Sequence, residues 1–211
     1  MDILPKNFIL SLLVALIIGL TAPAWAFGHD FQEGDLLFQS LNTSQSLAIK
    51  MATGSDYTHC GIVFISEGRV FVYEALAQMT MTPVEEWLER SPEVLWLRLK
   101  DPKVLTPQVI SQMKKAGTDL KDRTYDTLFQ WSDEKVYCSE LVYKIYQRGA
   151  GMELVPLKTF GDYNLGSEAV LDLIEKRYGG ELPLAEKAVA PSDLLQSPLL
   201  EVVGRIQGQV Q

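Results

Sequence analysis

The sequence predicts an α+β fold, an antiparallel sheet packed with helices, on three observations. Tyr57-Thr-His-Cys-Gly-Ile-Val-Phe-Ile65 and Arg69-Val-Phe-Val-Tyr-Glu-Ala75 are strand-forming runs joined by the turn signal Glu67-Gly68, the pattern of a hairpin. Cys138, Leu141, Val142, Ile145 and Tyr146 recur at helical spacing, with Gly149 placed to stop the helix. No repeat, low-complexity tract or Pro/Ser-rich linker divides the chain, so its strands and helices belong to one core.

In chain order, the first segment is a leader. Lys6 precedes a charge-free apolar run from Phe8 to Leu20, and Ala24-Trp-Ala26 puts small residues at the two positions a signal peptidase requires. Residues 1–26 are expected to be a secretory signal peptide cleaved after Ala26. The alternative is an uncleaved anchor, but the run falls below the ~18 residues a span needs, and no cysteine near the cut offers lipid attachment. The expected product is a single domain over 27–211, exported to the periplasm or beyond, without stable membrane insertion.

Phe31–Phe38 reads as a tight turn at Gly34 leading into a short buried strand. Ser44–Ala52 has helical spacing, with Ser44 as the cap and Gly54 as the stop. Beyond the hairpin, Pro83 starts a short helix over Thr82–Arg90 with Val84, Trp87 and Leu88 on its apolar side. Val94–Leu99 is a strand, and Thr106–Gly117 is a helix closed by its glycine. Arg123–Asp126 is a turn or short extended piece, Ser167–Tyr178 a helix before a Gly179-Gly180 loop, and Ala190–Leu195 a further helix start.

Composition excludes whole classes of partner. With 27 acidic against 19 basic residues the net charge is −8, and no basic block offsets it. Bulk charge therefore argues against nucleic acid or an anionic membrane surface. Cys60, Cys138, His29 and His59 are the only cysteines and histidines of the sequence, and no CxxC, HExxH or HxH occurs, so no metal and no cofactor is expected. In an oxidising compartment the two cysteines have an alternative use, a disulfide.

Cys138 is the candidate nucleophile. It lies in the first turn of its predicted helix, where the aligned peptide dipoles favour thiolate over thiol. A small buried apolar cysteine is the alternative. The hairpin supplies partners. If Ser66 pairs with Arg69, Glu74 falls opposite Gly61, and His59 becomes its diagonal neighbour on the same face, within reach of a long side chain. Glu74 then holds the imidazole in one tautomer, with Gly61 leaving open space across from it. Two half-exposed polar residues on a wet sheet face are the alternative. The same register turns Cys60 away from the face of His59, so a Cys60–Cys138 bridge would need a slip or a bulge.

Several segments in order resemble one family. Gly34-Asp-Leu-Leu-Phe-Gln39, Ser44-Gln-Ser46, Ser55-Asp-Tyr-Thr-His59, Tyr73-Glu-Ala75, Trp131-Ser-Asp133, Tyr137-Cys-Ser-Glu140 and Arg177-Tyr-Gly179 resemble the YiiX-like permuted papain-fold cysteine amidases, relatives of NlpC-type cell-wall peptidases. The resemblance spans nearly the whole predicted mature chain. It implies a cysteine-bearing helix packed on a histidine-bearing sheet, circular permutation that puts His59 and Glu74 before Cys138, and Tyr178 as a pocket-lining residue. One departure is Thr124-Tyr125-Asp126, where a proline is expected before the tyrosine.

The expected chemistry is acyl transfer from an amide or ester to water. Cys138 attacks the carbonyl, His59 takes and returns the proton, and Glu74 orients the ring. The Cys138 N–H is an oxyanion donor, with Tyr125 or Tyr178 as the second. The expected substrate is a small peptide, an amide or a lipid-amide, with cell-wall peptide suggested by export. Two other readings stay open: a lipid acyltransferase or thioesterase on the same triad, which a hydrophobic pocket near Tyr178 would favour, and a non-catalytic envelope binding module with an inert Cys138.

Overall fold

In the computed structural model, which describes residues 28–208, the sheet starts from Gly34. The predicted signal peptide at 1–26 lies outside the described residues. Gly34 takes φ +88°, a conformation glycine adopts without steric cost, and its N–H donates to Val63 O at 2.9 Å. The turn delivers β1 (Leu36–Gln39), whose four residues are all buried. A strand buried on both faces reads as a continuous apolar run, which Leu36-Leu-Phe38 is.

β1 lies at the centre of a six-stranded sheet. It is flanked by β2 (His59–Ser66), β3 (Arg69–Ala75) and β4 (Met79–Pro83) on one side and by β5 (Glu93–Leu99) and a C-terminal strand on the other. All these neighbours are antiparallel. The hairpin has the predicted register, running from Ser66↔Arg69 to Ile62↔Tyr73. Glu67 and Gly68 have φ of 51° and 75°, so the two-residue turn has the double positive φ whose twist matches right-twisted strands.

α1 (Ser44–Thr53) ends as predicted at Gly54, with φ +68°, but its cap is Thr43, whose Oγ1 accepts from Ser46 N at 3.0 Å. β4 occupies residues expected to be loop and helix start. Pro83 ends this edge strand, where a missing N–H is tolerated, and leads into α2 (Val84–Leu88). α3 (Pro107–Thr118) runs past Gly117, which does not close it. A Cβ there would sit 3.0 Å from the Tyr73 ring, so this glycine permits close packing on the sheet.

β6 (Thr124–Tyr125) pairs in parallel with β7 (Lys135–Val136) just before α4 (Cys138–Ile145). Gly149 does not stop that helix. The chain continues through a wider turn over Tyr146–Ala150 and is closed by Gly151 at φ +66°. Gly149 is instead where α3 comes against the backbone, since a Cβ would lie 2.4 Å from Met113 Cα. β8 (Lys158–Thr159) and β9 (Lys187–Ala188) form a small antiparallel pair around α5 (Glu168–Tyr178), which is capped by Ser167 and closed by Gly179. α6 (Pro191–Leu194) precedes β10 (Leu200–Gln207), the unpredicted strand that pairs with β5.

The two faces of the sheet bury different sets. Cys60, Ile62 and Phe64 face α4 and α3, packing with Cys138, Leu141, Val142 and Ile145. Leu37, Val63 and Val72 face Trp87 of α2 and Trp96. Leu141, Val142, Ile145 and Tyr146 are each fully buried, and burial of such side chains stabilises by roughly 1.5–3 kcal/mol apiece. This packing fixes where the helix start sits relative to β2.

Candidate active site

Cys138 is the first residue of α4 and is 3 % exposed. Tyr137 before it is extended, and its N–H donates to Glu140 Oε2 at 3.3 Å, so the first turn is held by its own glutamate. Glu140 is buried, and burial pushes its carboxyl up to about 7 against the pull of Lys144, whose Nζ lies 2.6 Å away. Lys144 is pinned in turn by Ser132 O and by Asp133 Oδ1 at 2.8 Å. This buried network ties the helix start to the Trp131–Asp133 segment.

His59 opens β2, and its Nε2 lies 2.6 Å from Glu74 Oε2. The carboxylate is fully buried and carries three further donors: Thr82 Oγ1 at 2.5 Å, Arg90 Nη1 at 2.6 Å and Trp87 Nε1 at 3.0 Å. Burial alone would raise the Glu74 pKa, but His59, Thr82 and Arg90 outweigh it and hold it down to about 2. With Nε2 committed to Glu74, Nδ1 is the ring nitrogen left for Cys138, which lies near enough that each group shifts the pKa of the other. Burial opposes a charged ring, yet Cys138 and Glu74 together raise the His59 pKa to about 9. His59 and Glu74 are therefore joined directly, with Cys138 within electrostatic range of the ring, although Gly61 leaves no open space: a Cβ there would lie 2.4 Å from Val72 Cγ1.

Cys60 departs from expectation. It packs beside Cys138, and its thiol and backbone N–H both act on that sulfur. Alternation does send Cys60 and His59 to opposite faces. The His59 ring lies beside Trp87 and Glu74, yet His59 and Cys60 both sit close enough to Cys138 to shift its pKa. Both cysteines are free thiols. The Cys60 contact, followed by the His59 charge, holds the Cys138 thiol well below its ordinary pKa despite burial, while burial and the neighbouring sulfur push Cys60 well above.

Tyr125 and Tyr178 both line an apolar chamber of about 130 Å³ that Cys138 also borders, between α1, α5 and the Phe160–Leu165 segment. Their hydroxyls differ. Tyr178 donates its proton to Leu128 O. Tyr125 accepts from Gln45 Nε2 at 2.9 Å, which leaves its own proton free, and burial beside Cys138 keeps that hydroxyl protonated. Arg177 donates to Thr127 O at 2.6 Å and to Gln45 Oε1 at 2.7 Å. Tyr125 also borders a second recess of mixed lining, where His59, Gln45 and Thr58 stand among Leu41, Ala75 and Leu76.

Thr82, Trp87 and Arg90 were not expected at the site. The spacing marks Trp87 only as part of an apolar helix face, but a buried indole N–H needs a partner, and that requirement is the signal for its place beside Glu74. Nothing in the spacing marks Arg90.

Residues 30–204 match the family model described as permuted papain-like amidase enzyme, YaeF/YiiX, C92 family. The chain is similar to the uncharacterized protein YiiX of Escherichia coli (strain K12), 31% identical over 190 residues that cover 90% of this chain and 94% of that protein. It also resembles the crystal structure described as metalloprotein yiiX from Escherichia coli O157:H7, with a TM-score of 0.79 and 30% identity, covering 83% of this chain and 98% of that one.

Proposed function

The chain belongs to the permuted papain-like amidases of the YaeF/YiiX, C92 family, a class of cysteine hydrolases, and from that premise we propose that Cys138, His59 and Glu74 are its catalytic triad. The observation that carries the reading is the position of His59, which interacts with Cys138 on one side and has its Nε2 2.6 Å from Glu74 on the other.

In the proposed cycle the Cys138 thiolate attacks the carbonyl carbon of an amide, and the carbonyl oxygen becomes an oxyanion. The Cys138 N–H at the start of α4 and the free proton of Tyr125 are its donors, the second role falling to Tyr125 because the Tyr178 proton is already committed. Collapse breaks the C–N bond as His59 Nδ1 gives its proton to the leaving amine, and a thioester remains on Cys138. Water then loses a proton to His59, attacks the thioester and releases the acid. Glu74 stays ionised throughout and keeps Nε2 protonated.

The solved relative is described as a metalloprotein. Among the described residues no group of three or more His, Cys, Asp or Glu side chains is placed to hold a metal ion, so the residues present do not fit one and no step is routed through it.

Export to the periplasm or beyond, resting on residues 1–26, makes envelope amides the substrate pool. A second reading, acyl transfer or thioester hydrolysis on lipids, is favoured by the apolar chamber beside Cys138. The test is alkylation of Cys138 by iodoacetamide across pH, together with hydrolysis of N-acyl amides, in the wild type, Cys138→Ser and His59→Ala. Hydrolysis retained in either variant would reject the triad.

A further inference from the structure

Two segments of the sequence, Ser44-Gln-Ser46 and Arg177-Tyr-Gly179, hold no member of the triad, yet the fold brings them to one place. Gln45 stands in the first turn of α1 and Arg177 in the last turn of α5. Tyr125, in β6, borders both the chamber that Cys138 lines and the recess that His59 lines. Arg177 Nη2 donates to Gln45 Oε1 at 2.7 Å, and Gln45 Nε2 donates to Tyr125 Oη at 2.9 Å.

The polarity of this chain is forced. A guanidinium has donors only and does not deprotonate in proteins, so the amide must turn its oxygen to Arg177 and its nitrogen to Tyr125. An amide nitrogen also has donors only, so the phenol oxygen must accept, and its proton has to leave in another direction. With the amide reversed, two sets of donors would face each other at Arg177, and Tyr125 would spend its proton on Oε1. Arg177 is itself held. Its Nη1 donates to Thr127 O at 2.6 Å, and its guanidinium lies over the Phe129 ring, 5.3 Å from the centroid. Thr127 and Phe129 follow Tyr125 in the chain, so one cation fixes both the segment that carries the tyrosine and the amide that meets its hydroxyl.

We propose that Gln45 and Arg177 are positioning residues of the reaction, a donor chain from Arg177 through Gln45 to Tyr125 that turns the Tyr125 proton toward the substrate's carbonyl oxygen as Cys138 attacks. The proposal rests on the reading above, in which Cys138 is the nucleophile and Tyr125 an oxyanion donor. Both residues act through Tyr125. The direction of one proton decides whether that hydroxyl meets the developing negative charge with a donor or with a lone pair.

The experiment applies two probes to the same sulfur. Acylation by p-nitrophenyl acetate forms the S–C bond, passes through an oxyanion and releases p-nitrophenolate; alkylation by iodoacetamide has no oxyanion. Both need the thiolate, so the ratio of their rates cancels any change in its population, and Cys138→Ser gives the background. Gln45→Glu keeps the shape and the contact with Arg177 but replaces the donor with an acceptor that takes the Tyr125 proton. Its ratio should fall about 100-fold, as far as in Tyr125→Phe, which is about what loss of one oxyanion donor produces. Arg177→Met frees the amide to turn and should cost less, roughly tenfold, since an ordinary hydrogen bond then sets its orientation. Adding Gln45→Glu to Tyr125→Phe should lower the ratio no further, because the glutamine acts through the hydroxyl.

A role in packing alone predicts a lower melting temperature in Gln45→Glu with the wild-type ratio, and that result overturns the proposal. A further fall in the double variant overturns it as well. An unchanged ratio in Tyr125→Phe also overturns it and removes Tyr125 from the mechanism, while Cys138 stands as the nucleophile. If acylation of the wild type does not exceed that of Cys138→Ser, the hydrolase reading falls and the proposal with it.

Discussion

Arg90 Nη1 lies 2.6 Å from Glu74 Oε1, on the carboxylate oxygen opposite the one that His59 holds. Glu74 is fully buried, and a buried carboxylate is tolerated only when its lone pairs and charge are met. Thr82 and Arg90 meet Oε1, and Trp87 shares Oε2 with the imidazole. The hydrogen bonding that keeps a buried charge in place also fixes the ring that faces Cys138.

Glu74→Gln should lower kcat on the order of 10²–10⁴-fold with little change in KM, because an amide of the same shape cannot stabilise the imidazolium and presents donors where acceptors are needed. Arg90→Ala should act more weakly and in the same direction. Steady-state kinetics on both variants, with circular dichroism as the fold control, decide this; wild-type kcat in Glu74→Gln would remove the carboxylate from the mechanism.

The pH profile follows from the shifted groups. Cys138 is held well below its ordinary pKa and His59 is raised to about 9, so a thiolate beside an imidazolium persists across neutral pH. Iodoacetamide should react with Cys138 nearly as fast at pH 6 as at pH 8, unlike a free thiol of pKa about 8.5. Hydrolysis should fall as pH rises through about 9, when the ring loses the proton it must give to the leaving amine. His59→Ala should restore an ordinary thiol profile.

Stability has its own dependence on pH. The His59 pKa is higher folded than unfolded, so its contribution is complete below about 6.5 and lost as pH rises through about 9. Glu74 has the opposite sign, contributing above about 4.3 and losing that contribution as pH falls toward about 2. Cys138, held below its ordinary thiol pKa, has the sign of Glu74 and offsets the His59 contribution between about pH 6.5 and 8.5, so acid pH gives the clean test: thermal melts should drop as pH falls from about 4.3 toward about 2, with a shallower slope in Glu74→Gln, and an equal slope would show that Glu74 is not held ionised in the folded state.

Much of this site could be read in the linear text because period-two alternation and a two-residue turn specify register. Glu67-Gly68 sets Ser66 opposite Arg69, and from that pair the shared face of His59 and Glu74 follows. The same logic failed at Cys60, since alternation fixes the face a side chain leaves from, yet His59 and Cys60 both sit close enough to Cys138 to shift its pKa. β4 and β10 were missed for a related reason. Met79–Pro83 ends in a proline that also reads as a helix start, and Leu200–Gln207 leaves Val202 63 % exposed at the sheet edge, so neither shows a clean buried face. Gly149 and Gly117 read as helix stops because a glycine needed for close approach looks the same in sequence as one needed for a turn.

Cys60 supplies the remaining prediction. Its thiol is held protonated by burial beside Cys138 and acts on that sulfur as a donor, so it should favour the thiolate. Cys60→Ala removes the donor, keeps a small apolar side chain and leaves the backbone N–H in place. The pH at half-maximal alkylation of Cys138 should move upward by roughly 1–2 units, with a matching fall in rate at pH 6, the equivalent of the ~1.5–3 kcal/mol that a hydrogen bond to a charged group contributes. Cys60→Ser restores an O–H donor and should recover most of the rate. A purely structural role for Cys60 predicts lower melting temperatures in both variants with the alkylation profile unchanged, and that pattern would show that the second sulfur does not tune the first.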